Sequence, residues 1–417
     1  MYRLGTSPRQ SFSLWTELLQ LTSLGLLLSL GSVSRASAAD ESAKISGVVF
    51  VDANRNGTFD KDETGLEGLA VSNQSTVVTT GTGGSYELPD PGEGVVFVVP
   101  PDDFESAAPF WRQVDLSGKN NEIDFPLIES GTGRDFRFIH ASDVHLRPQN
   151  LSRIRWLREI VEEQQPAFVL LTGDLVHDAL RVDEAEAKSY YQLFLQEIRT
   201  FPVPVWTVPG NHEIFGIERH LSLVRPDHPL YGKTMYRHFL GPTYYSFNAG
   251  GVHFVGLDSV DFDDLWYYGH VDEVQLEWLR QDLELIPDDT PVVAFTHMPF
   301  ATAGDSLYGY TDAPPAPTLI EVDGVTSFRH TVSNAEDVLS VLRQRKLNLA
   351  LAGHNHMRES LLYEMGGVPT RFHNAAALRS DSEALGLTLR SGITVYEMQE
   401  GRVDDGTFIP MSNEQDQ

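Results

Sequence analysis

Five apolar runs in this chain each end on an Asp, His or Asn, and that recurrence limits the possible folds more than any other feature. Ala167-Phe-Val-Leu-Leu-Thr runs into Gly173-Asp174, and Phe136-Arg-Phe-Ile-His-Ala-Ser into Asp143-Val-His145. Val203-Pro-Val-Trp-Thr-Val-Pro leads to Gly210-Asn211-His212, and Pro291-Val-Val-Ala-Phe-Thr to His297. Leu347-Asn-Leu-Ala-Leu-Ala leads to Gly353-His354-Asn355-His356. Near-continuous apolar runs read as parallel strands buried on both faces. In open α/β sheets, ligands bind just beyond the carboxyl ends of such strands. A single Gly-Asp would be explained by turn chemistry alone, but five such endings in order would not.

Between the runs lie amphipathic stretches. Leu151, Ile154, Leu157 and Val161 share one face before Pro166, as do Tyr191, Phe194, Leu195 and Ile198 before Pro202. Val274, Trp278, Leu279 and Leu283 do so before Pro287, and Ser333-Asn-Ala-Glu336 predicts a capping box ahead of Val338, Leu339 and Leu342. The alternation predicts an α/β sandwich from Asp135 onward. Further strands are expected between Val368 and Pro410, within a domain spanning 135–412. Gly216 to Pro242 and Pro299 to His330 show no clear element and are expected to wall a substrate cleft.

Asp, His and Asn donors, in a chain without cysteine, suit divalent Mn, Fe or Zn. The absence of thiols excludes disulfides, thiolate metal sites and thiol catalysis. A net charge of -28 argues against a nucleic-acid partner, whose affinity comes from clustered Lys and Arg.

The ordered set Asp-x-His, Gly-Asp, Gly-Asn-His, His and Gly-His-x-His resembles the calcineurin-like metallophosphoesterase superfamily over roughly residues 135 to 400. The resemblance implies a four-layer α/β/β/α sandwich. It also implies one metal on Asp143, His145 and His356, a second on Asn211, His297 and His354, and Asp174 bridging both. Two such ions activate a hydroxide and clamp an in-line displacement at phosphorus. By the same resemblance His212 lies near the leaving group, as general acid or transition-state stabiliser. His177, Asp178 and Glu213 are supporting candidates. Asp143-Val-His145 with Thr172-Gly-Asp-Leu-Val-His-Asp178 looks most like the cyclic-nucleotide and glycerophosphodiester phosphodiesterase branch. In purple acid phosphatases a tyrosine follows the Gly-Asp aspartate by three positions, where this chain has His177.

The N-terminal third differs in character. Arg3 and Arg9, an apolar Leu18–Val33 and Ala36-Ser37-Ala38 predict a cleaved signal peptide over residues 1–38. The apolar part is shorter than the roughly 20 residues of a membrane span, and an uncleaved anchor is the competing reading. Residues 44–128 read as a small all-β sandwich domain. Strand-like runs there are separated by turn residues, and Gly65-Leu-Glu-Gly-Leu-Ala-Val and Thr79-Thr-Gly-Thr-Gly-Gly-Ser-Tyr-Glu-Leu-Pro resemble prealbumin-like modules. Within it, Asp52, Asn54, Asn56, Thr58, Asp60 and Glu63, with Gly57 at the turn, match the spacing of a calcium loop and predict one structural calcium.

The expected protein is a secreted or periplasmic binuclear-metal phosphoesterase acting on a phosphodiester or phosphomonoester. No transmembrane segment is expected after cleavage, and the partner of the β module is open. The alternative is a surface-attached binding protein whose phosphoesterase fold is structural.

Overall fold

The computed structural model describes residues 44–412, apart from 90–91, 108, 116–119, 130–132, 314–316, 366–367 and 385. The expected signal peptide, residues 1–38, lies outside the described residues.

The strand Phe168–Thr172 is buried along its whole length because alternate side chains serve two different cores. Phe168 and Leu170 join one that holds Phe247, Phe254, Phe295 and Leu349, whereas Val169 and Leu171 join another that holds Leu157, Val161, Tyr191 and Phe194. Phe136–Ala141 divides likewise, with Phe138 in the first core and Ile139 in the second. Phe136–Ala141, Phe168–Thr172 and Val205–Val208 pair in parallel, and Gly392–Gln399 pairs antiparallel to the first of them. A second six-stranded sheet runs Tyr245–Ala249, Val252–Gly256, Pro291–Phe295, Lys346–Ala352, Val368–Asn374, Glu359–Met365. Its middle is parallel and both edges are antiparallel. Between the sheets, Phe168 meets Phe247 and Phe254 edge-on at 5.3 and 5.2 Å, a preferred geometry for aromatic pairs.

Helices Leu151–Gln164, Glu184–Ile198, Glu273–Glu284 and Ala335–Leu342 form where the apolar faces predict them. Asp183 and Asp272 cap two of them by accepting from the backbone N–H of Glu186 and Gln275. Three expectations are corrected. Val274 lies off the buried stripe and is 52% exposed. The capping box at Ser333 does not form: its hydroxyl accepts from Phe328 N at 2.8 Å, and Asn334 bonds both backbone groups of Val271 at 3.1 and 2.7 Å. The long stretches do contain elements, namely helices Arg219–Ser222, Thr234–Leu240 and Gly304–Tyr308 and the hairpin Leu319–Val322 with Val325–Phe328. Each is too short to show a period. Among the described residues no helix is long and apolar enough to cross a membrane.

The N-terminal region is β-rich, with two sheets. One is built on Lys44–Val51 with Ser85–Leu88 and Phe125–Glu129 beside it, the other on Ala70–Ser72 with Val77–Thr79 and Val95–Val98. Ile45, Val71, Val96, Val98 and Leu127 from both sheets share a core. Phe97, from the same strand as Val96, points the other way and meets Trp278 at 6.4 Å. The Gln74 side chain donates to Tyr244 O at 3.1 Å, and the Tyr244 hydroxyl donates to Gln74 O at 2.6 Å. Phe97 is fully buried in the core that both large sheets share. Phe97→Ala is therefore expected to lower unfolding free energy by about 3–5 kcal/mol. Denaturant unfolding followed by tryptophan fluorescence checks this, and a loss under about 1 kcal/mol would mean that the two regions are not packed as one.

Candidate metal centre

All five motifs lie just past the carboxyl ends of parallel strands: Phe136–Ala141, Phe168–Thr172, Val205–Val208, Pro291–Phe295 and Lys346–Ala352. The chain leaves these strands in an unusual way. Of the twelve described non-glycine residues with positive φ, five are Asp143, His145, Asp174, His354 and His356, at 46–67°. Such φ values are uncommon for residues other than glycine, and they concentrate where side chains must be aimed. Glycines admit the close approach. A Cβ on Gly353 would lie 1.8 Å from Ser142 Oγ and 2.6 Å from Asp143 Oδ2, and one on Gly210 would lie 2.3 Å from Asp174 Oδ1.

Glu213 holds the Asp174 turn. Its carboxyl oxygens accept the backbone N–H of Asp174 (2.9 Å), Leu175 (2.8 Å), Val176 (2.9 Å) and Gly210 (2.6 Å). Two of the motif loops are thus tied to one fully buried side chain. Burial, and then the charge of Asp174, push the Glu213 carboxyl up to about 8 against the pull of the backbone donors.

The side chains converge in two groups: Asp143, His145, Asp174 and His356 in one, and Asp174, His297 and His354 in the other. Only Asp174 belongs to both. In the first, His356 Nε2 lies 3.1 Å from Asp143 Oδ1 and 3.4 Å from His145 Nε2. In the second, His297 Nε2 lies 3.1 Å from His354 Nδ1, 3.1 Å from Asn211 Oδ1 and 3.3 Å from Asp174 Oδ1. Asp143, Asp174, Asn211 and His297 are buried, whereas His145, His212, His354 and His356 are partly exposed and form the mouth.

The donor set fits divalent cations. Asp143 Oδ1 is buried and has no hydrogen-bond partner, although His356 Nε2 lies 3.1 Å away. A buried anionic oxygen without a partner is costly unless a cation meets it. Backbone partners set the imidazole tautomers. His297 Nδ1–H donates to Thr172 O at 2.8 Å, which makes Nε2 the ring nitrogen that faces inward. His354 Nε2–H donates to Arg329 O at 3.1 Å, beside His330 Nδ1 at 2.8 Å, leaving Nδ1 inward. Burial, then the neighbouring His212, hold His145 down to about 3, and burial with His297 holds His354 well below its ordinary value. Burial alone would raise Asp143, but His356 and His297 bring it down to about 2. Asp174 is likewise held well below the carboxylate range, against burial, by His297 and His212.

His212 is oriented rather than gathered into either group. Its backbone N–H donates to Asp174 Oδ1 at 3.0 Å, and its Nδ1–H to His177 O at 2.7 Å. Nε2 is then directed at the centre, 4.0 Å from Asp174 Oδ2. Of the supporting candidates, His177 thus acts through its carbonyl, and Asp178 caps Leu180 and pairs with Arg181. Arg147, Arg379 and His330 also border these residues, with nitrogens 3.2 Å from His177, 3.2 Å from His356 and 2.8 Å from His354. The sequence carries a signal for Arg147, two residues after His145, and nothing local marks the other two.

The calcium-type loop closes on itself. Asp52 accepts from Asn56 N and Gly57 N at 3.0 and 2.9 Å, and Glu63 from Ala53 N and Asp60 N at 3.0 and 3.1 Å. The side-chain amides of Asn54 and Asn56 both donate to Asp60 Oδ2 at 2.9 Å, and Thr58 N donates to Asn56 Oδ1 at 2.7 Å.

Residues 136–358 match the family described as calcineurin-like phosphoesterase. The chain belongs to that family. Residues 53–130 match the N-terminal region of calcineurin-like phosphoesterases. A 3',5'-cyclic-nucleotide phosphodiesterase of Nostoc is 22% identical over 228 residues, which cover 52% of this chain and 69% of the relative. A Rhodococcus erythropolis protein named "Probable cyclic nucleotide phosphodiesterase" is 24% identical over 255 residues, 58% of this chain and 71% of that one. A dimetal phosphatase structure from Danio rerio aligns with a TM-score of 0.42 at 17% identity, over 66% of this chain and 98% of the other. Calcineurin-like phosphoesterases use a dimetal centre, and this chain is a metal-dependent phosphoester hydrolase.

Two outcomes are expected. Burial lowers the His297 imidazole, but the Asp174 charge outweighs it and raises the ring to about 9. Below that pH an entering metal must displace a proton, so affinity should fall by up to about tenfold per pH unit. Calorimetric titration with Mn²⁺ at several pH values, in buffers of different ionisation enthalpy, reads both the affinity and the proton. Glu213→Gln turns an amide N–H₂ against backbone donors and should destabilise the fold by about 1–3 kcal/mol, with metal content falling below two per chain.

Proposed function

We propose that the chain is an extracytoplasmic binuclear phosphodiesterase. The observation that carries this reading is the convergence of seven donors, Asn211 included, into two groups that share only Asp174. Asp143, His145 and His356 would hold one ion, Asn211, His297 and His354 the other, and Asp174 both. When bound, such a pair supplies Lewis-acid activation of water and neutralises phosphoryl oxygens. The protein's own part is to fix those donors on strained strand ends and to present His212 Nε2 toward the leaving group, where it can hold or deliver a proton. The named phosphodiesterase relatives support a diester over a monoester.

The division of side chains between two cores supports a four-layer α/β/β/α arrangement over residues 135–412. The two sheets of residues 44–128 support a prealbumin-like sandwich. The spacing of Asp52, Asn54, Asn56, Thr58, Asp60 and Glu63 supports a calcium loop, in which the Asn54 and Asn56 amides would turn their oxygens inward. Residues 1–38 are read as a secretion signal from their composition.

Metal-reconstituted protein should hydrolyse bis-p-nitrophenyl phosphate faster than p-nitrophenyl phosphate. Asp174→Asn should abolish turnover. His212→Ala should lower kcat by about 10²- to 10⁴-fold with both metals retained by elemental analysis. A monoester preference would move the substrate class, and no turnover of either ester with two metals bound would favour a binding protein. Calcium should raise the melting temperature of wild type and not of Asp52→Ala; no shift in either removes the calcium loop.

A further inference from the structure

In a chain with 59 acidic and 31 basic side chains, arginines readily find carboxylates. Arg137, Arg181, Arg219, Arg225 and Arg280 all do. Arg147 and Arg379 do not, among the described residues. Both are partly buried at the metal centre, and each guanidinium meets a histidine ring instead. Arg147 Nη1 lies 3.2 Å from His177 Nε2, and Arg379 Nη1 lies 3.2 Å from His356 Nδ1. Arg147 Nε is enclosed with no hydrogen-bond partner at all.

The contact at His356 is the informative one. His356 Nε2 is the atom that converges on Asp143 and His145. An imidazole that coordinates through Nε2 carries its ring proton on Nδ1. Nδ1 then cannot accept from Arg379, and two donors face each other. The guanidinium needs another acceptor, and guanidinium forks are matched to carboxylate and phosphate. Both arginines are tied to the first ligand group: Arg147 follows His145 by two residues and Arg379 touches His356. Arg147 is also joined to His212 through His177, whose ring accepts from the arginine and whose carbonyl holds the histidine.

We propose that Arg147 and Arg379 are specificity-determining residues that bind a second anionic group of the substrate. The preferred phosphodiester therefore carries a further carboxylate or phosphate beyond the scissile phosphorus. This rests on the phosphodiesterase reading above, and it adds a direction to it. The anionic arm lies over Asp143, His145 and His356, so the substrate enters with one orientation.

The test uses the full chain loaded with Mn²⁺ and three p-nitrophenyl diesters whose second substituent is methyl, carboxymethyl or 2-phosphoethyl. Wild type should prefer either charged ester over the methyl ester by about tenfold or more in kcat/KM, chiefly through KM, and the larger effect identifies carboxylate or phosphate as the group. In Arg147→Met/Arg379→Met the ratio should fall toward one with two metals per chain retained, and Arg147→Lys and Arg379→Lys should keep part of it. Equal kcat/KM for all three esters in wild type overturns the proposal, as does a preference that survives in the double variant. Hydrolysis of none of them would defeat the phosphodiesterase reading instead. The arginines are then judged by calorimetry with phosphonoacetate against methylphosphonate. Tighter binding of phosphonoacetate that is lost in the double variant supports the proposal, and equal binding, or a gain that survives in the variant, overturns it.

Discussion

Four backbone N–H groups point at one buried carboxyl, that of Glu213, and the candidate metal centre depends on that convergence. The turn after Phe168–Thr172 carries the side chain shared by both ligand groups, and the turn after Val205–Val208 carries Asn211 and His212. Glu213 ties the two turns together at the cost of burying an acidic group beside Asp174. Tyr191 closes the arrangement from the helix side by donating to Glu213 O at 2.7 Å. A fully buried acceptor with several donors rigidifies its surroundings because each lost bond would leave an orphan.

The same logic explains why strain is tolerated nearby. Five candidate ligands sit at positive φ, a conformation that costs roughly 1–3 kcal/mol each. They persist because neighbouring turns are bonded across: His145 N donates to Asp174 O at 2.8 Å, and His354 N to Asp143 Oδ2 at 3.0 Å. The ligand loops brace each other, through the backbone at His145 and through the Asp143 carboxylate at His354.

Much of this was legible because the signal was redundant. Donors that recur at the ends of buried runs place themselves in space once the runs are recognised as parallel strands, and the helices between them show through their apolar faces. What was not legible depends on partners distant in sequence. Ser333 and Asn334 have the letters of a capping box, yet Phe328 and Val271 claim their side chains. The hairpin Leu319–Val322 with Val325–Phe328 is too short to carry a period. Arg379 gains its place only from the fold, 23 residues from the histidine it touches. Phe97 reads as one more strand residue, and nothing local shows that it crosses into a neighbouring core.

That crossing has a mechanical consequence. Phe97 against Trp278, the paired bonds between Gln74 and Tyr244, and Val77 N on Gln281 at 3.0 Å make the join between the N-terminal region and the catalytic sheets a weld rather than a leash. Whatever surface or partner grips the N-terminal region would also set the heading of the metal centre, and the reach of the enzyme would be that of a tool in a fixed mount.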